Sequence, residues 1–339
     1  MTVTRYIAHF VPFVVLCIGF PMFGAAVAQT YSFERKAHAF ERKAGDASPR
    51  FHKSEHVLAF INDYRDEKSP DDIPDLVHAM VRLGVINDPE KSGVYTGFLA
   101  GVIQDNQVDA PGMIAKMFPL PPAQQVVLIK AVVYSELPNW KALLETFAER
   151  MPARKVMIHR YLYGDGKALS GLPLDDGFTL DVYWGMYFAT GNWAPAVRII
   201  DALQWAGEKN DVEKLTIGSM AKWTYATNAT RDKNLLDLAK RELNHRPEEL
   251  RGHLREVIDA AELFETRRLR EAALKSIDEL RQKGPQRVRD LNTWGQAGQT
   301  VLALGCVGAA ALGQAQFGVP CVLGGALSSA ALKYLLPKP

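Results

Sequence analysis

From Phe51 onward, apolar residues recur at intervals of three and four in short blocks, and helix-breaking residues separate the blocks. That spacing keeps side chains on one side of an α-helix. It predicts helices near 52–64, 71–84, 91–105, 110–118, 122–135, 138–150, 153–163, 178–190, 193–206, 210–226, 231–243 and 247–283. The breakers are Ser69-Pro70, Asn87-Asp88-Pro89, Pro119 to Pro122, Pro138, Pro152, Gly164-Asp165-Gly166, Gly191, Gly207 and Pro247. No run alternates apolar and polar residues as a half-buried strand would. The expected architecture is all-α: stacked antiparallel helix pairs, helical-repeat-like, over residues 51–283.

The stretch 178–203 is rich in aromatics. Leu180, Tyr183, Trp184, Tyr187 and Phe188 fall at three- and four-residue spacing, which predicts one broad apolar face. Asp175 and Asp176 precede Gly177 as a capping turn, Gly191 ends the helix, and Asn192 caps a second one. Trp193, Ala196, Val197, Ile200 and Leu203 line one side of that second helix. The aromatics are expected to seal a helix–helix seam rather than line a pocket.

In this stretch Tyr187, Gly191, Trp193, Ala196 and Ile200 occupy the positions that the tetratricopeptide repeat gives to its first-helix aromatic, turn, second-helix aromatic, small contact residue and large apolar residue. Residues 179–203 thus resemble one tetratricopeptide unit, although Trp184 stands where that family has a small residue. The resemblance implies a helix hairpin within a helical stack. The wording of 179–203, with Ala221-Lys222-Trp223 after it, is also similar to a group of uncharacterised exported bacterial helical proteins, a likeness that carries no function.

Residues 247–283 read as one long helix with a narrow stripe of Leu254, Ile258, Ala261, Phe264, Leu269, Ala273, Ile277 and Leu280. Arg267, Arg268 and Arg270 form a basic cluster on it that fits either a solvated face or contact with anionic lipid or an acidic partner. Beyond Asp290 no charged residue occurs until Lys333. A Gly/Ala-rich helical hairpin is expected over 290–336, with helices near 296–313 and 321–335. Each arm is shorter than the roughly 20 residues a membrane span requires, so the hairpin packs in protein or a homo-oligomer, with membrane association through 291–332 as the alternative. Cys306 and Cys321, both in this region, are a candidate disulfide pair.

The N-terminal residues 1–28 read as a signal peptide: Arg5 and His9, an apolar run from Phe10 to Phe23, then Ala26-Val27-Ala28 as a cleavage site. The reading is therefore of an exported protein, periplasmic or secreted. Residues 29–50 form an N-terminal arm in which Phe33-Glu34-Arg35-Lys36-Ala37 is repeated seven residues later as Phe40-Glu41-Arg42-Lys43-Ala44. With 47% apolar residues the chain can bury a sizeable core, and its net charge of +2 provides no broad field for nucleic acid.

Four motifs raise chemistry. Ser219-Met220-Ala221-Lys222 fits the S-x-x-K pattern of penicillin-binding proteins and β-lactamases, in which the lysine helps take the serine proton; the supporting motifs do not follow, and an envelope hydrolase ranks third among the functional expectations. His52 and His56, with Glu55 between them, have the i,i+4 spacing of metal ligands but lack a nearby third ligand. Gly164-Asp165-Gly166-Lys167 is followed by Ala168 where a phosphate loop needs a hydroxyl. Asp175 and Asp176, being adjacent, fit capping better than the opposed carboxylates of a glycosidase. No catalytic, metal or cofactor site is expected. The expected role is non-enzymatic binding of another protein or an envelope component, with Trp140, Tyr163, Tyr183, Trp193, Trp205 and Trp223 as candidate binding aromatics, and a membrane-anchored or membrane-active protein working through the tail as the alternative.

Overall fold

The computed structural model describes residues 50–174, 176–263 and 266–282. Among them are thirteen α-helices and no strand, so the fold is all-α. In order these are α1 (Ser54–Asp63), α2 (Ile73–Arg82), α3 (Gly93–Asp105), α4 (Ala110–Met117), α5 (Pro122–Tyr134), α6 (Trp140–Ala148), α7 (Lys155–Tyr163), α8 (Gly177–Thr190), α9 (Trp193–Ala202), α10 (Val212–Ala229), α11 (Lys233–Glu242), α12 (Glu248–Glu262) and α13 (Thr266–Gln282).

Local chemistry explains most boundaries. Pro74 and Pro122 sit in first turns, where the missing N–H costs nothing. Asp176, Asn192, Asp211 and Asp232 accept backbone N–H groups at the starts of α8, α9, α10 and α11. Gly191 closes α8 in the left-handed conformation at φ 68°, as its place in the turn requires.

Chain neighbours pack as pairs, α8 with α9 and α11 with α12 among them, but the most extensive contact joins α3 to α8, which are far apart in sequence. Gly93, Gly97 and Gly101 recur every fourth residue along α3 and permit it. A methyl group on Gly97 would stand 1.9 Å from the Val182 carbonyl oxygen, and one on Gly185 would stand 2.1 Å from that of Val94. The two backbones touch, and only residues without a β-carbon fit there.

This contact changes the reading of α8. Instead of one apolar face, every residue from Gly177 to Ala189 is buried, because α3, α9 and α10 cover different sides of it and α1 adds to them. Such a helix is a core element rather than an amphipathic surface helix. The aromatics do form the seam: Trp184 stacks on Phe188 with centroids 5.7 Å apart, and its indole donates to Thr224 Oγ1 at 3.1 Å.

The single helix expected over 247–283 is two helices. The chain leaves α12 at Leu263, and α13 folds back onto α10. The return buries Leu269 and Ile277, the latter against Val212 and Leu215, and removal of that apolar surface from water favours it. The expected signal peptide, most of the arm, the hairpin with Cys306 and Cys321, and the side chains of Arg267, Arg268 and Arg270 lie outside the described residues. No helix among the described residues is long and apolar enough to cross a membrane.

Candidate functional site

Two of the six aromatics singled out from sequence belong to one helix hairpin. Trp140, half-buried against the core, opens α6 and Tyr163 closes α7, and these two helices pack as a hairpin. Lys141 Nζ donates to the Leu162 carbonyl oxygen at 3.1 Å and stands 5.6 Å from the Trp140 ring centroid. The Tyr163 hydroxyl donates to Glu145 Oε1 at 2.8 Å, and that hydrogen bond raises its pKa. His159, one turn back on α7, sets its ring 5.0 Å from that of Tyr163. Tyr163 is 67% exposed and Val156, two turns back on α7, is 79% exposed. Aromatic, cationic and anionic groups thus share one accessible end.

Beneath this surface lies a cluster that the sequence reading did not single out. Tyr134, the last residue of α5, and Tyr161 of α7 lie near enough for each phenol to act on the other. Burial is the first cause raising both pKa values, so both phenols stay protonated at neutral pH. Gly166 lets the following turn lie against Tyr161, since a methyl group there would stand 2.6 Å from the ring. Between α5 and α6, Glu136 adopts φ 52°, and its carboxylate accepts the Ser170 N–H at 2.8 Å, tying down the segment that leads to α8. Lys130 Nζ lies 4.1 Å from the Phe178 ring centroid and 3.1 Å from Glu90 Oε1. Asp181, in the second turn of α8, is buried.

The other sequence candidates separate. Tyr183 and Trp223 are core residues, 5% and 4% exposed, and are withdrawn as binding aromatics. Their helices, α8 and α10, are covered by neighbours that the sequence could not assign. Trp205 is half-buried against the core. Trp193, 41% exposed, carries the Arg241 guanidinium 3.8 Å from its ring centroid.

The chemical motifs are engaged in structure. Lys222 Nζ pairs with Glu256 Oε2 at 2.5 Å and lies 3.5 Å from His253 Nδ1. Asp176 accepts the Thr179 N–H at 2.6 Å and the Thr179 hydroxyl at 2.9 Å, which is the expected cap; Asp175 lies outside the described residues. Asp165 pairs with Arg160, and the Gly166 N–H donates to the Arg160 carbonyl at 3.1 Å, so the turn ends α7 instead of forming a cradle. His56 Nδ1 accepts the His52 N–H at 3.4 Å, and among the described residues no three potential ligands gather for a metal.

A signal for part of this was present in the sequence. The four-residue glycine spacing at 93, 97 and 101 marks a face for close helix approach, and Asp181 is the single charged residue within α8. Comparison with protein-family models, with curated proteins and with solved structures yields no match to this chain.

Proposed function

We propose that this is an exported, non-enzymatic helical protein that binds another protein or an envelope component at the open end of the α6–α7 hairpin. One observation carries the reading: Tyr163 stands exposed there, bonded to Glu145, while Lys141 beside Trp140 reaches the Leu162 carbonyl, and the exposed apolar Val156 lies further along the same helix as Tyr163. Amphipathic aromatics that combine a large contact area with a polar handle suit recognition surfaces. The engagement of Lys222, Asp176 and Asp165 in internal pairs favours binding over catalysis.

The test places a photoreactive residue at position 163 in the native cell, with position 112 on the exposed side of α4 as control. The expected result is an adduct of defined mass at 163, absent at 112 and weakened by Trp140→Ala. Equal labelling at the two positions, or none at 163, overturns the reading.

A further inference from the structure

Asp181 is the one acidic or basic side chain in the buried set among the described residues, at 6% exposed. It lies in the contact between α3 and α8: a methyl group on Gly93 would stand 2.6 Å from its β-carbon. No hydrogen bond or ion pair reaches its carboxylate among the described residues. An ionised carboxylate in such a place loses most of its water shell with no partner to compensate.

The charged and titratable groups on the surrounding elements do not relieve it. Ahead of α3, Glu90 holds Lys130 of α5, and Lys91 holds Asp88 at 3.1 Å. Tyr134 of α5 and Tyr161 of α7 act on each other, and no hydrogen bond joins either to Asp181 among the described residues. On α9, Arg198 lies over the Tyr183 ring and pairs with Asp201 at 3.1 Å. Arg65, which follows α1, is bound to Asp232. On α10, Lys222 is bound to Glu256. Asp176, at the start of α8 itself, is the charge that acts on Asp181, and it repels.

We propose that Asp181 is a proton-controlled latch in the α3–α8 contact: the neutral acid keeps the first turns of α8 seated on α3, and release of its proton to solvent loosens them until the carboxylate is fully hydrated. The opening belongs at this end of the contact. Gly93 begins α3 and Asp181 lies near the start of α8, whereas Gly97, Gly101 and Gly185 hold the two backbones together further along. Burial first, and Asp176 second, raise the Asp181 carboxyl from 3.8 to about 7, which puts the latch within reach of ordinary pH changes. The latch does not depend on what the outer surface binds.

Hydrogen–deuterium exchange of the full chain, corrected for intrinsic rates and read on peptides covering 176–190, tests this. In the wild type, protection should fall by roughly tenfold per pH unit between about pH 5 and 7 and then level off, because only the closed form retains the proton over that range. Asp181→Asn should give a flat profile. Asp176→Asn, which keeps an efficient helix cap, should make the levelling begin at lower pH, and it retains the test if Asp181→Asn does not fold. A wild-type profile without this fall overturns the latch. So does an Asp181→Asn variant with the same fall, or, where only Asp176→Asn folds, a levelling point that does not move.

Discussion

The Tyr187 hydroxyl donates to Asp232 Oδ2 at 2.6 Å, joining the last turn of the buried helix α8 to the start of α11. Arg65 Nη1 stands 2.5 Å from the same oxygen, and its guanidinium lies over the Tyr187 ring. Asp232 Oδ1 accepts the Asn234 N–H at 3.0 Å. One carboxylate therefore caps a helix and anchors two distant segments. Burial first, then Asp232, raise the Tyr187 pKa and keep the phenol a donor.

Asp232→Ala should destabilise the protein by about 3–5 kcal/mol, because it removes a helix cap and strands a largely buried guanidinium. Tyr187→Phe should cost about 1–3 kcal/mol, as for a hydrogen bond to a charged group. Urea denaturation of both variants and of the double mutant measures the coupling, and strictly additive losses would contradict a shared network.

Gly97→Ala should be costly, above the usual loss of about 1–3 kcal/mol for overpacking, since the obstacle is the Val182 backbone rather than a movable side chain. Gly112→Ala, with no atom within 4 Å of the added carbon, should instead raise stability by up to about 1 kcal/mol through helix propensity. Thermal denaturation should move the two in opposite directions.

Asp181 gives the stability curve a definite sign. Its folded pKa of about 7 lies above the value of 3.8 that the exposed group has, so its contribution is fully present below the unfolded value and is lost as pH rises through about 7. Asp181→Asn should therefore match the wild type at low pH and exceed it at pH 8, by up to about 4 kcal/mol for a shift of this size. Denaturant midpoints at the two ends of this range decide it, and an equal difference at both would refute the assignment.

The aromatics should divide by burial. Trp223→Ala should cost about 3–5 kcal/mol as a core cavity. Trp193→Ala removes an exposed cation–π contact with Arg241 and should cost about 1 kcal/mol. Tyr163→Ala should leave stability within about 0.5 kcal/mol while abolishing partner capture at the hairpin end. Equilibrium unfolding of the three variants, side by side, measures this ordering.

The sequence alone determined the helices and their order as far as α11, and read α12 and α13 as one. Periodicity, the caps Asp176, Asn192 and Asp232, and the turn at Gly191 act over a few residues, so each can be read from its own neighbourhood. It also picked out Trp140 and Tyr163, but as separate residues. Only the tertiary structure decided that α8 lies against α3, that Tyr183 and Trp223 are interior, that α13 packs back onto α10, and that Asp181 is buried in the α3–α8 contact. Burial depends on which distant segment covers a face. That choice was settled by how closely whole helices can approach, here by the contact of Gly97 and Gly185 with the opposing backbones, and not by any local preference of the residues that became buried.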